Sequence, residues 1–431
     1  MTTSFFYIKT KLFFFVLILI INTMSVFSQT IENKDKVYDD HIQTVLFYQL
    51  GDQLTDPVIM LHSKNKLMLE FDDMNDESYN FKYTVVHCDR NWNTSDLDPI
   101  EYIEGNPEGY IEDFEFSLNA VPSYVHYKMI FPNNEMNIKY SGNYLLKVYT
   151  DNDDDENVVF TRRFYVVEPK VNIETKIPYY SNNLEYTRKK QQIDLTIYTP
   201  DLFNYQTDTR FNVFIKQNGR WDNMVRNLKP TSVLSNRLDF NYPEGIIFDG
   251  GNQFRHFDMK DFHYQSMYIR RIINDANGYT VLLHTDFSRA KKQYEKIADI
   301  HGRKFIKARN DQETDIEGEY AWVEFTLKIP EFKNADVYII GQLNDWLMNE
   351  TNRMNYDQHF QAYRQKMFLK QGYYDYMYCV VPKGQTKGDI TLIEGDWWDT
   401  LNEYKIYVYY SNLMPAYDRL VGYKEFLSHY E

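Results

Sequence analysis

Only two of the 431 residues are cysteine, Cys88 and Cys379, which excludes the disulfide framework of small secreted domains. Whether the two pair is open on the sequence alone. Two separately buried thiols is the favoured reading, because free cysteine is among the most buried residue types. Glycine is also sparse, 17 in all, and none is arranged as a phosphate-cradling loop. The motifs H-E-x-x-H, C-x-x-C and G-x-S-x-G are absent as well, so no familiar hydrolase, redox or metalloprotease chemistry is signalled. Clustered basic residues are limited to Arg188, Lys189 and Lys190 in a chain whose formal net charge is −15. A phosphate-backbone partner needs more than that, and nucleic acid is excluded as a partner.

Long apolar runs are confined to the N-terminus. Lys9 and Lys11 precede the run Leu12 to Ile21, and Val26, Phe27 and Ser28 follow a polar stretch. This is the order of a secretory signal peptide, too short for a span of ~20 apolar residues. Cleavage is expected near Ser28, giving residues 1–28 as signal peptide and an exported mature chain, soluble or peripheral to a membrane. An uncleaved N-terminal anchor is the alternative.

What is abundant is aromatic: 38 Tyr, 29 Phe and 6 Trp. Tyr and Phe suit the half-buried pleated surface of strands. Short segments such as "KLMLEF", "NFKYTVVHC", "NYLLKVYT" and "VVFTRRFYVV" are separated by turn residues. Phe160, Arg162, Phe164 and Val166 alternate with Val159, Thr161, Arg163 and Tyr165, the strand period of two. The expected fold class is all-β, as tandem immunoglobulin-like β-sandwich domains with few short helices. The expected divisions are residues 29–168, closed by Glu168 and Pro169, then a middle β-rich domain, 169–310, then a C-terminal domain, 311–431. In the last, "DITLIEG" reads as a strand, and Arg289 to Asp299 of the middle domain reads as a short helix.

Three stretches invite a chemical reading. His87, Cys88 and Asp89 are the residue types of a thiol nucleophile, its base and its orienter. On a strand, however, adjacent side chains face opposite ways, so His87 and Cys88 do not form a pair. Asp89 begins a turn with Asn91, Asn93 and Ser95. In "DNDDDENVVFTR", Asp151, Asp153 and Asp155 fit the start of a calcium loop. Glu156 stands where Gly is needed and Arg162 where the bidentate Glu belongs, so a hairpin tip is the better reading. His256 and Asp258 share a strand face without a nucleophile or second histidine at a recognisable spacing. No catalytic, metal-binding or cofactor-binding residue is assigned, and no cofactor is expected.

Two resemblances remain. "VYIIGQLNDW" (Val337 to Trp346) followed by "FLKQGYYDYMYCV" (Phe368 to Val380) resembles the immunoglobulin-like module attached to starch- and glycogen-active enzymes. Trp346 matches that module's Trp, and carbohydrate binding through it is the alternative function. The larger resemblance is carried by "LEFDDM", "HCDRNWNTSDLDPIEYIEG", "IEDFEFSLNA", "HYKMIFPNNEMNIKYSGNYLLKVY" and "TRRFYVVEP", and further on by "GGNQFRHFD", "LIEGDWWDTLNEYKIYVYY" and "YDRLVGY". In this order, from Thr44 to Tyr423, they resemble the type IX secretion system plug proteins of Bacteroidota. That resemblance implies a non-enzymatic periplasmic subunit that binds the outer-membrane β-barrel translocon and closes its pore when no cargo is passing. It brings no catalytic residues. Trp346, Trp397 and Trp398 are the candidate binding surface, one of the adjacent pair being expected exposed if they lie on a strand.

Overall fold

The computed structural model describes residues 31–428, apart from 76, 151–156, 200–209, 235 and 277. The signal-peptide segment and the calcium-loop-like acidic stretch beginning at Asp151 therefore lie outside the described residues. The fold is all-β. Among the described residues the α-helices Pro99–Tyr102, Thr314–Glu317 and Thr391–Glu394 are four residues long each, and no helix is long and apolar enough to cross a membrane.

The N-terminal sandwich packs two sheets face to face, antiparallel apart from Val58–Met60, which pairs in parallel with Asn157–Val167. One is ordered Ile42–Gln49, Leu67–Asp73, Val125–Phe131, Asp113–Phe116, and the other runs from Lys36–Val37 through Asn157–Val167, Gly142–Thr150 and Phe81–Cys88 to Glu108–Ile111. Alternation decides what lies between them. Leu67, Leu69 and Phe71 meet Tyr144, Leu146 and Val148 in one core, with Phe71 stacked on Tyr127 at 5.0 Å.

Both outer faces of this sandwich are partly covered by the other units. Leu145, Tyr165 and Val167 alternate outward from the core and pack on Phe214, Tyr407 and Tyr409 of the middle unit. Tyr165 stacks on Tyr407 with ring centroids 4.5 Å apart. On the opposite side Leu46, Tyr48 and Met68 join the core of the third unit. Each large apolar side chain fully buried at such a seam contributes about 1.5–3 kcal/mol, so the seams hold the units together as firmly as a core does.

Strands from both sides of position 311 share sheets. In the middle unit, Phe211–Gln217 pairs with Glu403–Leu413, which pairs with Ala416–Leu427, and this sheet covers a second one built on Lys190–Tyr198. Ile193, Leu195 and Ile197 meet Val213, Ile215, Ile406 and Val408 between them. The third unit is a nine-stranded sheet in which Arg255–Asp258 and Lys304–Ile306 both pair with Gly372–Pro382.

Two expected elements are absent. Residues 289–299 form an extended loop rather than a helix, because Arg289 is drawn onto Thr391–Glu394: its backbone N–H donates to Ile393 O at 2.7 Å and its side chain to Glu394. "DITLIEG" contains that short helix rather than a strand. Glu394 is fully buried there and accepts from Arg255, Arg289 and the Tyr378 N–H, which fixes the turn.

Candidate functional site

The three units meet around a cleft of about 1050 Å³. Its aromatic lining is Trp221, Trp322, Tyr338, Trp346 and Phe368, and charged groups of both signs, including Arg162, Lys304 and Asp345, stand around them. Arg162 of the N-terminal sandwich donates to Asp345 of the third unit at 3.0 Å, bridging two walls. Burial lowers the Lys304 ammonium below its usual range, Asp345 opposing that shift.

Trp346 reaches the cleft through a tight turn. Gln342–Asn344 forms a single 3₁₀ turn, after which Asp345 and Trp346 both adopt left-handed backbone, φ 56° and 60°. A bulky residue there is strained unless its surroundings hold it. They do: Trp346 N–H donates to Gly341 O at 2.9 Å, and the Asn344 amide donates to Leu347 O at 2.6 Å. The indole then presses on backbone. A Cβ at Gly219 would lie 2.0 Å from its Nε1, and one at Gly302, φ 80°, would lie 2.3 Å from Cη2, so both positions require glycine. Beneath the Gly302 turn, Asp375 accepts from Ile300 N–H at 2.6 Å and Gly302 N–H at 3.1 Å. Burial, with Asp299 beside it, pushes that carboxyl up to about 8.

Trp346 is thus half-buried and packed, with Phe254 edge-on at 5.9 Å. Trp397 and Trp398 lie in a turn rather than a strand, and the alternation argument for exposing one of them does not apply. Both are half-buried. Trp397 faces Tyr294 and Trp398 meets Tyr179 edge-on at 4.9 Å, away from Trp346 and the cleft lining. The more open ring on the cleft is Trp322, 46% exposed on the strand Tyr320–Leu327. An aromatic floor with charges of both signs suits a segment of polypeptide. Trp221, in the connection after Phe211–Gln217, and Trp322, within a strand, carry no sequence signal, since a lone aromatic reads as core.

His87 and Cys88 face opposite sides of their strand. The His87 ring packs against Tyr144 and Tyr417, its Nδ1 2.9 Å from Ser95 Oγ, and burial lowers its pKa to about 4. Cys88 lies in the seam with the middle unit, where burial pushes its thiol up to about 12. Such a thiol is a poor nucleophile. Cys379 is free as well and buried in another cluster. His256 stacks on Tyr373, and the Asp258 carboxylate is engaged by Lys260. The groups that come together with metal-ligand geometry are others: Glu70, His126 and Asp315, whose ligand atoms lie within 4.8 Å of one another. They come from three elements with no sequence spacing to mark them. The available hint was charge at alternate positions of otherwise apolar strands, "LMLEFDD" and "VHYKMIF".

Comparison with known proteins adds the following. Residues 42–168 match the family model described as "Type 9 secretion system plug protein 1st domain". A solved structure of a hypothetical protein from Parabacteroides merdae is 33% identical over 92% of this chain and 100% of that one, with a TM-score of 0.87. A search of curated proteins found no match.

Proposed function

The chain belongs to the type IX secretion system plug protein family, which is not an enzyme family, and from that premise we propose that it is a non-enzymatic periplasmic plug subunit. In this reading it binds the outer-membrane β-barrel translocon and closes its pore when no cargo is passing. Closing a pore requires no bond-making. It requires a body that does not deform under load and a contact area above ~1,000 Å².

The observation that carries the reading, beside family membership, is the fusion of the three units. The N-terminal sandwich packs against another unit on each of its outer faces, and Asp56, Lys405, Glu403 and Arg303 join all three units in one ion cluster. Independent beads on linkers would be expected for a glycan-binding array, whereas a fused block suits occlusion. The cleft, with Trp322 at its opening, is the concave surface we assign to a protruding segment of the partner.

The test is affinity purification of a C-terminally tagged chain from detergent-solubilised outer membranes, with co-purifying proteins identified by mass spectrometry. A near-stoichiometric very large β-barrel protein supports the reading. Recovery of the chain alone, while the barrel's other partners stay bound to it, contradicts it.

A further inference from the structure

The face of the N-terminal sandwich that turns toward the third unit carries charge where apolar side chains would be expected. Glu70 and Asp72 alternate along Leu67–Asp73, and across the pairing with Val125–Phe131 Glu70 stands opposite Lys128 and Asp72 opposite His126. Asp315, from the helix Thr314–Glu317, and Lys370, from the strand Ala362–Lys370, come in from the third unit.

Asp72 is fully engaged. Its Oδ2 accepts from Lys370 Nζ at 2.7 Å and Tyr320 OH at 2.6 Å, and its Oδ1 lies 2.6 Å from His126 Nδ1. With two donors already on Oδ2, the carboxyl is the acceptor on Oδ1 as well, and Nδ1 is the donor. In the neutral ring with Nδ1 as donor, the lone pair sits on Nε2. The His126 side chain is only 6% exposed, and its Nε2 is buried without a hydrogen-bond partner among the described residues.

What Nε2 faces is a carboxylate. Asp315 Oδ2 is 3.8 Å away, too long for a hydrogen bond, and close to the ~3.4 Å edge of a tetrahedron with bonds of about 2.1 Å. Glu70 completes the group, with all three ligand atoms within 4.8 Å of one another. Tyr48 donates to Glu70 Oε2 at 2.9 Å, which leaves Oε1 without that bond. A cation beside the group is Lys128, 2.9 Å from the same Asp315 Oδ2 and 3.3 Å from Glu115 Oε1, with its side chain 21% exposed. It has a second acceptor to which it can retire.

We propose that Glu70, His126 and Asp315 form a divalent metal site of the Zn²⁺ class, with Asp72 orienting the imidazole, that staples the N-terminal sandwich to the third unit. One imidazole nitrogen and two carboxylates are a zinc-type ligand set, and a carboxylate behind the ligating histidine is the usual support for it. Two ligands lie on adjacent strands of one sheet and the third on the short helix of another unit. Coordination there adds a cross-link at a seam otherwise held by packing and ion pairs, and its effect is on stability.

The purified chain is stripped with a chelator, dialysed against ZnCl₂ and its metal content measured by plasma mass spectrometry, with Co²⁺ as a spectroscopic probe. The expected result is one Zn²⁺ per chain, tetrahedral visible bands with Co²⁺, and a melting midpoint that rises on adding Zn²⁺. Asp315→Asn, on a helix 35% exposed at that side chain, should weaken binding by at least about tenfold while leaving the fold intact. His126→Gln should abolish it. The proposal is overturned if the folded wild-type chain takes up no Zn²⁺, or if Asp315→Asn binds it as tightly as wild type.

Discussion

Replacing Lys405 by Met removes one charge from the point where the three units meet and keeps most of the side chain's length. Its Nζ lies 2.6 Å from Asp56 Oδ2 and 2.7 Å from Glu403 Oε2, and the side chain is 1% exposed. Asp56 belongs to the N-terminal sandwich and Glu403 to the middle sheet, while Arg303, 2.9 Å from Glu403, precedes a strand of the third unit. Breaking a buried pair from one side costs about 3–5 kcal/mol. The Glu403 carboxyl allows a second route to the figure. Burial pushes it up, but Lys405 first and then Arg303 outweigh that and bring it from 4.5 down to about 2. That fall is worth roughly 3 kcal/mol at neutral pH. For a cooperative body of about 400 residues, with an unfolding entropy near 2.1 cal/mol/K per residue, ~3 kcal/mol lowers the melting midpoint by roughly 4 °C. Differential scanning calorimetry at pH 7 measures it. Because a depressed carboxyl stabilises above its unfolded pKa and loses that contribution as pH falls, the gap between variant and wild type should close between pH 4.5 and about 2. A midpoint changed by less than about 1 °C at pH 7, or a gap that persists undiminished in acid, would refute the claim that this cluster ties the units together.

Three further outcomes are expected. Trp322→Glu should leave the melting midpoint unchanged, since the ring is 46% exposed, yet reduce co-purification of the barrel partner, as read by quantitative mass spectrometry. His87 is held at about 4 by burial against an ordinary 6.5, so its contribution is complete above pH 6.5 and is lost as pH falls toward 4, about 3 kcal/mol in all. His87→Gln should flatten the stability profile across that window in urea titrations. Cys88 and Cys379, buried with thiols pushed up to about 12, should resist Ellman's reagent in the native chain and both react after unfolding.

Strand segments were legible because alternation is a local property. "VVFTRRFYVV" and "NYLLKVYT" fall within the strands Asn157–Val167 and Gly142–Thr150. Their neighbours were not legible, because pairing is settled by contacts far apart in the chain. "EYKIYVYY" reads as a strand, but nothing in it says that its partner is Phe211–Gln217. Burial on both faces left a faint trace, since Leu145 and Leu146 are adjacent and both fully buried, one in each core. Short apolar runs misled where a buried charge overrides the pattern, as Glu394 does in "DITLIEG". At the cleft, the Asn-x-Trp turn pointed to Trp346 because Asn344 must satisfy the backbone around it. Trp221 and Trp322 reach the same cleft from separate units, and the His126 cluster draws on three elements, so no spacing marks either.

The central claim is pore closure, and the direct measurement is the conductance of the purified barrel translocon in a planar lipid bilayer before and after this chain is added to its periplasmic side. The account predicts that large open-channel currents fall to baseline on addition of the wild-type chain, and fall less with Trp322→Glu at the same concentration. Currents that persist unchanged, with the chain shown to be bound to the translocon, would contradict it.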